Sequence, residues 1–140
     1  MQAYSRLVGL DVGTKRIGIA QTDLLKTFAT PVGTYAPNKV FSELKSIVSQ
    51  SQIDAFIVGW PLTTTGELGK ATDRVSSFIG ELKKKFPEIA VIKVDERYTS
   101  SQAVEVMIEA GVPKKKRREK ERVDQIAAAL ILERYLEQNY

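Results

Sequence analysis

Leu7-Val8-Gly9-Leu10-Asp11-Val12-Gly13-Thr14-Lys15-Arg16-Ile17-Gly18-Ile19-Ala20 reads as an apolar strand that turns back on itself around Gly13-Thr14, with one carboxylate, Asp11, set inside it. Residues 7–11 and 16–21 form the two arms of a β-hairpin apolar enough to be largely buried. A carboxylate in such a run is costly to bury unless something pairs it, and a bound cation is the partner its chemistry suits. Gly9, Gly13 and Gly18 remove side chains around it, which is expected to let a large ligand approach the backbone. The chain contains neither histidine nor cysteine. That absence excludes histidine-based triads, thiolate nucleophiles and the usual zinc sites. A catalytic centre here must be built from carboxylates, hydroxyls, Lys, Arg and hard metal ions.

Outward from the hairpin, residues 28–35 are a third extended segment, placed near a sheet edge by Pro31. An amphipathic helix over 37–51 follows, with Val40, Leu44, Ile47 and Val48 on one face. Residues 55–59, Ala-Phe-Ile-Val-Gly, are a continuous apolar run of the kind found in buried parallel strands. A helix over 71–86 ends at Pro87, and a last strand over 89–94 runs into Asp95-Glu96-Arg97. Thr99 with Gln102 predicts a capping box opening a helix that Gly111 and Pro113 close. A long helix covers 121–137. The order βββ-α-β-α-β-α-α predicts an α/β fold: a five-stranded mixed sheet flanked by helices on both faces, the element order of the ribonuclease H-like fold. With 140 residues, 43% of them hydrophobic, and no repeat or linker, residues 1–140 are expected to form a single domain. No segment reads as a membrane span or a signal peptide, so the expected location is cytoplasmic, with no membrane partner.

Two further acids stand out. Glu96 lies at the carboxyl end of the last strand, where open α/β sheets place their ligands; an ordinary surface acid beside Arg97 is the plainer reading, and Asp95 is an alternative in the same role. Asp124 falls in register with Ala128, Ile131 and Tyr135 at i, i+4, i+7 and i+11, the apolar side of the long helix. A helix-dipole acid near an N-terminus is the competing account, but the position points inward, which favours a metal ligand. Ala127 and Ala128 would let this helix approach the sheet closely. Asp11, Glu96 and Asp124 together would bind Mg²⁺ or Mn²⁺ through oxygen. Two such ions about 4 Å apart can activate water and stabilise the leaving oxygen of an in-line displacement at phosphorus.

The charge is local. The chain carries a net +4, whereas Lys114-Lys115-Lys116-Arg117-Arg118-Glu119-Lys120 alone carries six positive charges and one negative. A basic segment just before Asp124 suits the phosphates of a nucleic acid better than it suits a solvated linker. Lys15 and Arg16 could touch the same backbone. Trp60, after the apolar run, offers either a stacking surface for an unpaired base or a hydrophobic lid. Lys83-Lys84-Lys85 reads as an exposed helix end.

Four motifs now stand in order: Asp11-Val-Gly-Thr-Lys15-Arg16-Ile-Gly18-Ile-Ala20, then Val58-Gly59-Trp60-Pro61-Leu62 with Gly66, then Asp95-Glu96-Arg97, then Asp124-Gln-Ile-Ala127-Ala128. Together they resemble the YqgF family over nearly the whole chain, with Trp60 a less usual side chain at its position. Those bacterial proteins are assigned as pre-16S rRNA nucleases and as Holliday junction resolvase homologues. The resemblance implies a metal-dependent nuclease with Asp11, Glu96 and Asp124 at the acidic positions, processing the 5′ end of precursor 16S ribosomal RNA. Structured RNA is then the expected substrate, with scope for a ribosomal or protein partner. The alternatives are a resolvase acting on branched DNA, for which a homodimer with two symmetric sites would be suited, and a nucleic-acid-binding factor whose acids are structural.

Overall fold

The computed structural model describes residues 4–61, 69–97, 99–117 and 119–139. Strands β1 (Arg6–Val12), β2 (Ile17–Thr22), β3 (Ala29–Tyr35), β4 (Ile53–Trp60) and β5 (Ala90–Asp95) form one sheet in the order β3-β2-β1-β4-β5. The first three strands pair antiparallel, whereas β4 joins β1, and β5 joins β4, in parallel. Helix α1 (Pro37–Gln50) precedes β4 and α2 (Lys70–Lys85) lies between β4 and β5; α3 (Thr99–Glu109), α4 (Lys114–Arg117) and α5 (Lys120–Asn139) follow. The mixed α/β sheet with helices on both faces is the arrangement expected from the order of elements.

Strand alternation explains the two layers. On β1, Val8, Leu10 and Val12 point to one face and meet Val40 and Leu44 of α1 and Val75, Phe78 and Leu82 of α2. Leu7 points to the other face, with Ala128, Ile131, Leu132 and Tyr135 of α5. Asp11 shares the parity of Leu7 and therefore looks toward α5. β3 is an edge strand, and its register with β2 jumps between Ile19 and Ala20, whose partners are Gly33 and Pro31. Such an irregularity at an edge accommodates Pro31, which has no N–H to give the ladder.

Three expectations change. Gly9 and Gly18 make room for helix α5, not for a ligand: a Cβ at Gly18 would run into the carbonyl oxygen of Asp124, and one at Gly9 into Leu132 and the carbonyl of Ala128. The small residues face one another from both partners, since Ala127 and Ala128 are fully buried. The basic segment is not all loop, because Lys114–Arg117 forms a helical turn and Lys120 is already the first residue of α5. The Thr99 capping box does not form. The Thr99 hydroxyl donates to the carbonyl of Glu96 at 2.9 Å, and the Gln102 Oε1 accepts from Arg134 at 3.1 Å.

Candidate active site

Two glycines make room for a carboxylate centre around Asp11. Its register partner on β2 is Gly18, and on the other side Leu10 pairs with Val58, which puts Gly59 of β4 level with Asp11. The backbone of Asp124 packs over Gly18, and the Glu96 carboxylate fills the space over Gly59, where a Cβ would collide with Oε2. Any larger residue at either position would push an acid away. Asp11, Glu96 and Asp124 all line one cavity of about 470 Å³ at the carboxyl edge of β1, β4 and β5, together with Gly13 and Arg74.

Their electrostatics are those of acids crowded out of water. Burial pushes Glu96 up to about 9, helped by the charge of Asp11 and by the hydrogen bond Glu96 gives it. Burial likewise raises Asp11, to about 6, and the hydrogen bond from Glu96 holds it from rising further. At neutral pH the pair therefore shares one proton, with Glu96 donating to Asp11. Glu96 Oε2 is buried and accepts no hydrogen bond among the described residues. Asp124 is compensated differently: its Oδ2 accepts from Arg16 Nε at 2.8 Å, with the two side chains 20% and 31% exposed. That bond raises the Arg16 guanidinium above its ordinary value.

The donor set suits a hard divalent ion, being all carboxylate oxygen with one oxygen buried and unpartnered. As arranged, however, no three acids among the described residues are grouped closely enough to hold a metal. Asp11 and Glu96 form the close pair, and Asp124 would have to turn from Arg16 to join them.

The remaining sequence-derived candidates separate. Asp95 is taken up by its own neighbour: its carboxylate accepts from the Arg97 backbone N–H and from Nε and Nη2, and those bonds hold it below its ordinary value. Trp60, as the residue after Gly59, points to the opposite face of the sheet from Asp11. There it packs on the core beside α1 and α2 with the Lys93 ammonium 4.0 Å from its ring centroid. Lys15, Arg16 and Lys120 line a second cavity of about 400 Å³ that adjoins the first, sharing Gly13, Arg74 and Asp124 with it. Lys114, Lys115 and Lys116 are exposed on α4 and line neither cavity. Arg118, the side chain of Arg117, and the motif residues Leu62 and Gly66 lie outside the described residues. Sequence reading missed Arg74. A single cation in the first turns of an amphipathic helix has no periodic signal that sets it apart from a solvated one.

The chain itself has known relatives. Residues 5–138 match the RuvX family, described as Holliday junction resolvase. The chain belongs to that family. Among relatives of this RuvX-family chain, a protein of Chlorobium luteolum is 42% identical, with 99% of each chain covered, and one of Salinibacter ruber is 41% identical, covering 97% of this chain and 95% of that one. Both carry the name "Putative pre-16S rRNA nuclease". Among solved structures, Thermus thermophilus RuvC in complex with Holliday junction substrate superposes with a TM-score of 0.56, covering 96% of each chain at 15% identity. At that identity the likeness speaks for the fold, and the fold is that of RuvC. Among the described residues no helix is long and apolar enough to cross a membrane.

Proposed function

We propose that this chain is a metal-dependent nuclease that hydrolyses phosphodiester bonds in structured RNA, with precursor 16S ribosomal RNA, the substrate in its relatives' name, as its target and the 5′ end as the part it processes. The observation that carries the reading is the proton-sharing pair of buried carboxylates, Asp11 and Glu96, with Asp124 on the same cavity and cations along its rim. Membership of a family of nucleic-acid enzymes supports it.

Asp11, Glu96 and Asp124 are the residues that would hold Mg²⁺ or Mn²⁺. When bound, the cation supplies Lewis-acid stabilisation of charge on the phosphate oxygens and makes water nucleophilic at neutral pH. The protein's own part is to ready the acids. Glu96 gives up its shared proton, and Asp124 leaves Arg16, so the centre charges only when cations are there to use the charge. Lys15, Arg16 and Lys120 hold backbone phosphates beside the acids, and Lys114, Lys115 and Lys116 attract the polyanion from farther out. The exposed cations would make binding strongly salt-dependent. A location in the cytoplasm follows from that substrate.

A second reading, a resolvase of branched DNA, is favoured by the family's description. A four-way junction offers two symmetric cutting positions, so this reading requires a homodimer, which light scattering would reveal. The deciding experiment incubates the protein and Mn²⁺ with matched structured RNA, single-stranded DNA and a four-way junction. Cleavage of the RNA, abolished in Asp11→Asn, is the expected result. Preferential cleavage of the junction would favour the resolvase. Failure to cleave any of the three would leave a non-catalytic nucleic-acid-binding factor, and full activity in Asp11→Asn would refute the place of Asp11 in the centre.

A further inference from the structure

Arg74 stands on α2 at the boundary of the two cavities, lining both. Its Nε is buried and has no hydrogen-bond partner among the described residues. Leaving a guanidinium nitrogen dry and unpaired is unfavourable, by more than a neutral donor would be. Acids are near, since the charge of Arg74 is felt by both Asp11 and Glu96. Yet neither accepts a hydrogen bond from its Nε. The donor therefore awaits an acceptor that the described residues do not supply. The basic cavity beyond it is lined by Lys15, Arg16 and Lys120 with a single acid, Asp124. In that cavity Arg16 has satisfied itself with a carboxylate oxygen of Asp124 at 2.8 Å, which shows the kind of ligand the space is arranged to receive. A planar fork with fixed donors is the side chain best matched to a phosphate.

We propose that the basic cavity is a subsite for one backbone phosphate adjoining the one that is cleaved, and that Arg74 is its central ligand. The inference rests on the nuclease reading and adds a substrate-positioning residue to it. The bound phosphate completes the hydrogen bonding of Arg74, competes with Asp124 for Arg16, and fixes the register of the strand over the acids. Its oxyanion chemistry is shared by an internal phosphodiester and a terminal phosphomonoester.

The test measures equilibrium binding of a mixed-sequence single-stranded RNA in EDTA, so that cleavage does not intervene, over a range of salt. It uses wild type, Arg74→Gln, Arg74→Lys and Lys84→Gln, the last lying in the exposed final turn of α2. Arg74→Gln should weaken binding about ten-fold and make the slope of log K against log salt shallower by about 0.7, the release of one counterion from a single strand. Arg74→Lys, which keeps the charge and loses the fork, should keep the wild-type slope and still bind several-fold more weakly. Lys84→Gln should match wild type. Arg74→Gln binding with wild-type affinity and slope would overturn the proposal, as would full recovery of affinity by Arg74→Lys, which would reduce Arg74 to a distant charge. RNA with and without a 5′-phosphate separates the two sources: equal losses support an internal phosphate, and a loss confined to the 5′-phosphorylated RNA would overturn it. Should wild type neither bind nor cleave RNA, the nuclease reading itself has failed; should wild type do both while Arg74→Gln is unaltered, only this inference has.

Discussion

Replacing Glu96 by Gln should stabilise the metal-free protein at neutral pH while destroying its activity. Glu96 ionises near 4.5 in a solvated chain and near 9 in the fold. Between those values the native state holds a proton that the unfolded chain has released, so stability falls as pH rises, by about 1.4 kcal/mol per pH unit. The loss begins near pH 4.5, continues to about 9 and then levels off. At pH 7.5 it amounts to about 4 kcal/mol. The glutamine amide never ionises and can donate to Asp11 as the protonated acid does, although it must still be buried. A net gain of about 2–4 kcal/mol at pH 7.5 follows, shrinking to almost nothing at pH 4.5. For a chain of this length each kcal/mol moves the melting temperature by about 3 °C, so the variant should melt about 6–12 °C higher in EDTA at pH 7.5. Thermal melts followed by circular dichroism from pH 4.5 to 9 measure both curves. Asp11, raised to about 6 beside a neutral Glu96, and Glu133, raised by burial and by Glu137, titrate in both proteins and cancel in the difference. Saturating Mn²⁺ should then raise wild type, by about 2.7 kcal/mol at a hundred times the dissociation constant, and leave the variant nearly unmoved. A Gln variant less stable than wild type at pH 7.5, or a wild-type curve flat from pH 5 to 8.5, would refute the reasoning.

Gly18→Ala would drive a methyl group into the carbonyl of Asp124; it should cost about 2–3 kcal/mol in urea denaturation and depress cleavage by displacing the helix that carries the acid. Trp60→Ala should lower stability by about 2 kcal/mol through lost packing while leaving RNA affinity unchanged, and a selective loss of affinity would favour the stacking role. Changing Lys114, Lys115 and Lys116 together to Gln should flatten the salt slope of RNA binding by up to about 2, with stability within about 0.5 kcal/mol of wild type. Arg16→Gln should free Asp124 and tighten Mn²⁺ binding in calorimetry about two- to five-fold, since a partly exposed ion pair is worth about 0.5–1 kcal/mol; weaker Mn²⁺ binding would mean that the pair positions Asp124 instead of restraining it.

What could be read in the sequence depended on which physical signal each residue leaves. The apolar stripe from Asp124 to Tyr135 has a helical period, and that period specifies which face each side chain takes, whereas the hairpin showed itself by its turn at Gly13-Thr14 between two apolar runs. Strand β4 has no such signal: Ala55 to Gly59 is apolar toward both layers, so only its register with β1 shows that Gly59 faces the acids and Trp60 faces away. The glycines of β1 and β2 were visible as missing side chains, but a gap does not say whether a ligand or a helix fills it. Arg16 and Asp124 are 108 residues apart, and their bond is a product of the fold. Arg74 was hidden for the same reason. Its meaning lies in an absent partner, and absence of a partner is a property of the folded state alone.

Without any metal the centre is held by two removable partners. One proton bridges Asp11 and Glu96 and leaves the pair a single negative charge, and one guanidinium neutralises Asp124. Both can be removed at modest cost, because the proton titrates within a few units of neutrality and the ion pair is partly open to water. Arg74 is the exception: its buried Nε is the one donor at the rim that the protein leaves unanswered among the described residues. Glu96 Oε2 is an acceptor left unanswered in the same way, so the site has one unmet demand for an oxyanion, at Arg74, and one for a cation, at Glu96. Nucleic acid and metal should therefore bind with mutual support, each meeting the demand the other leaves.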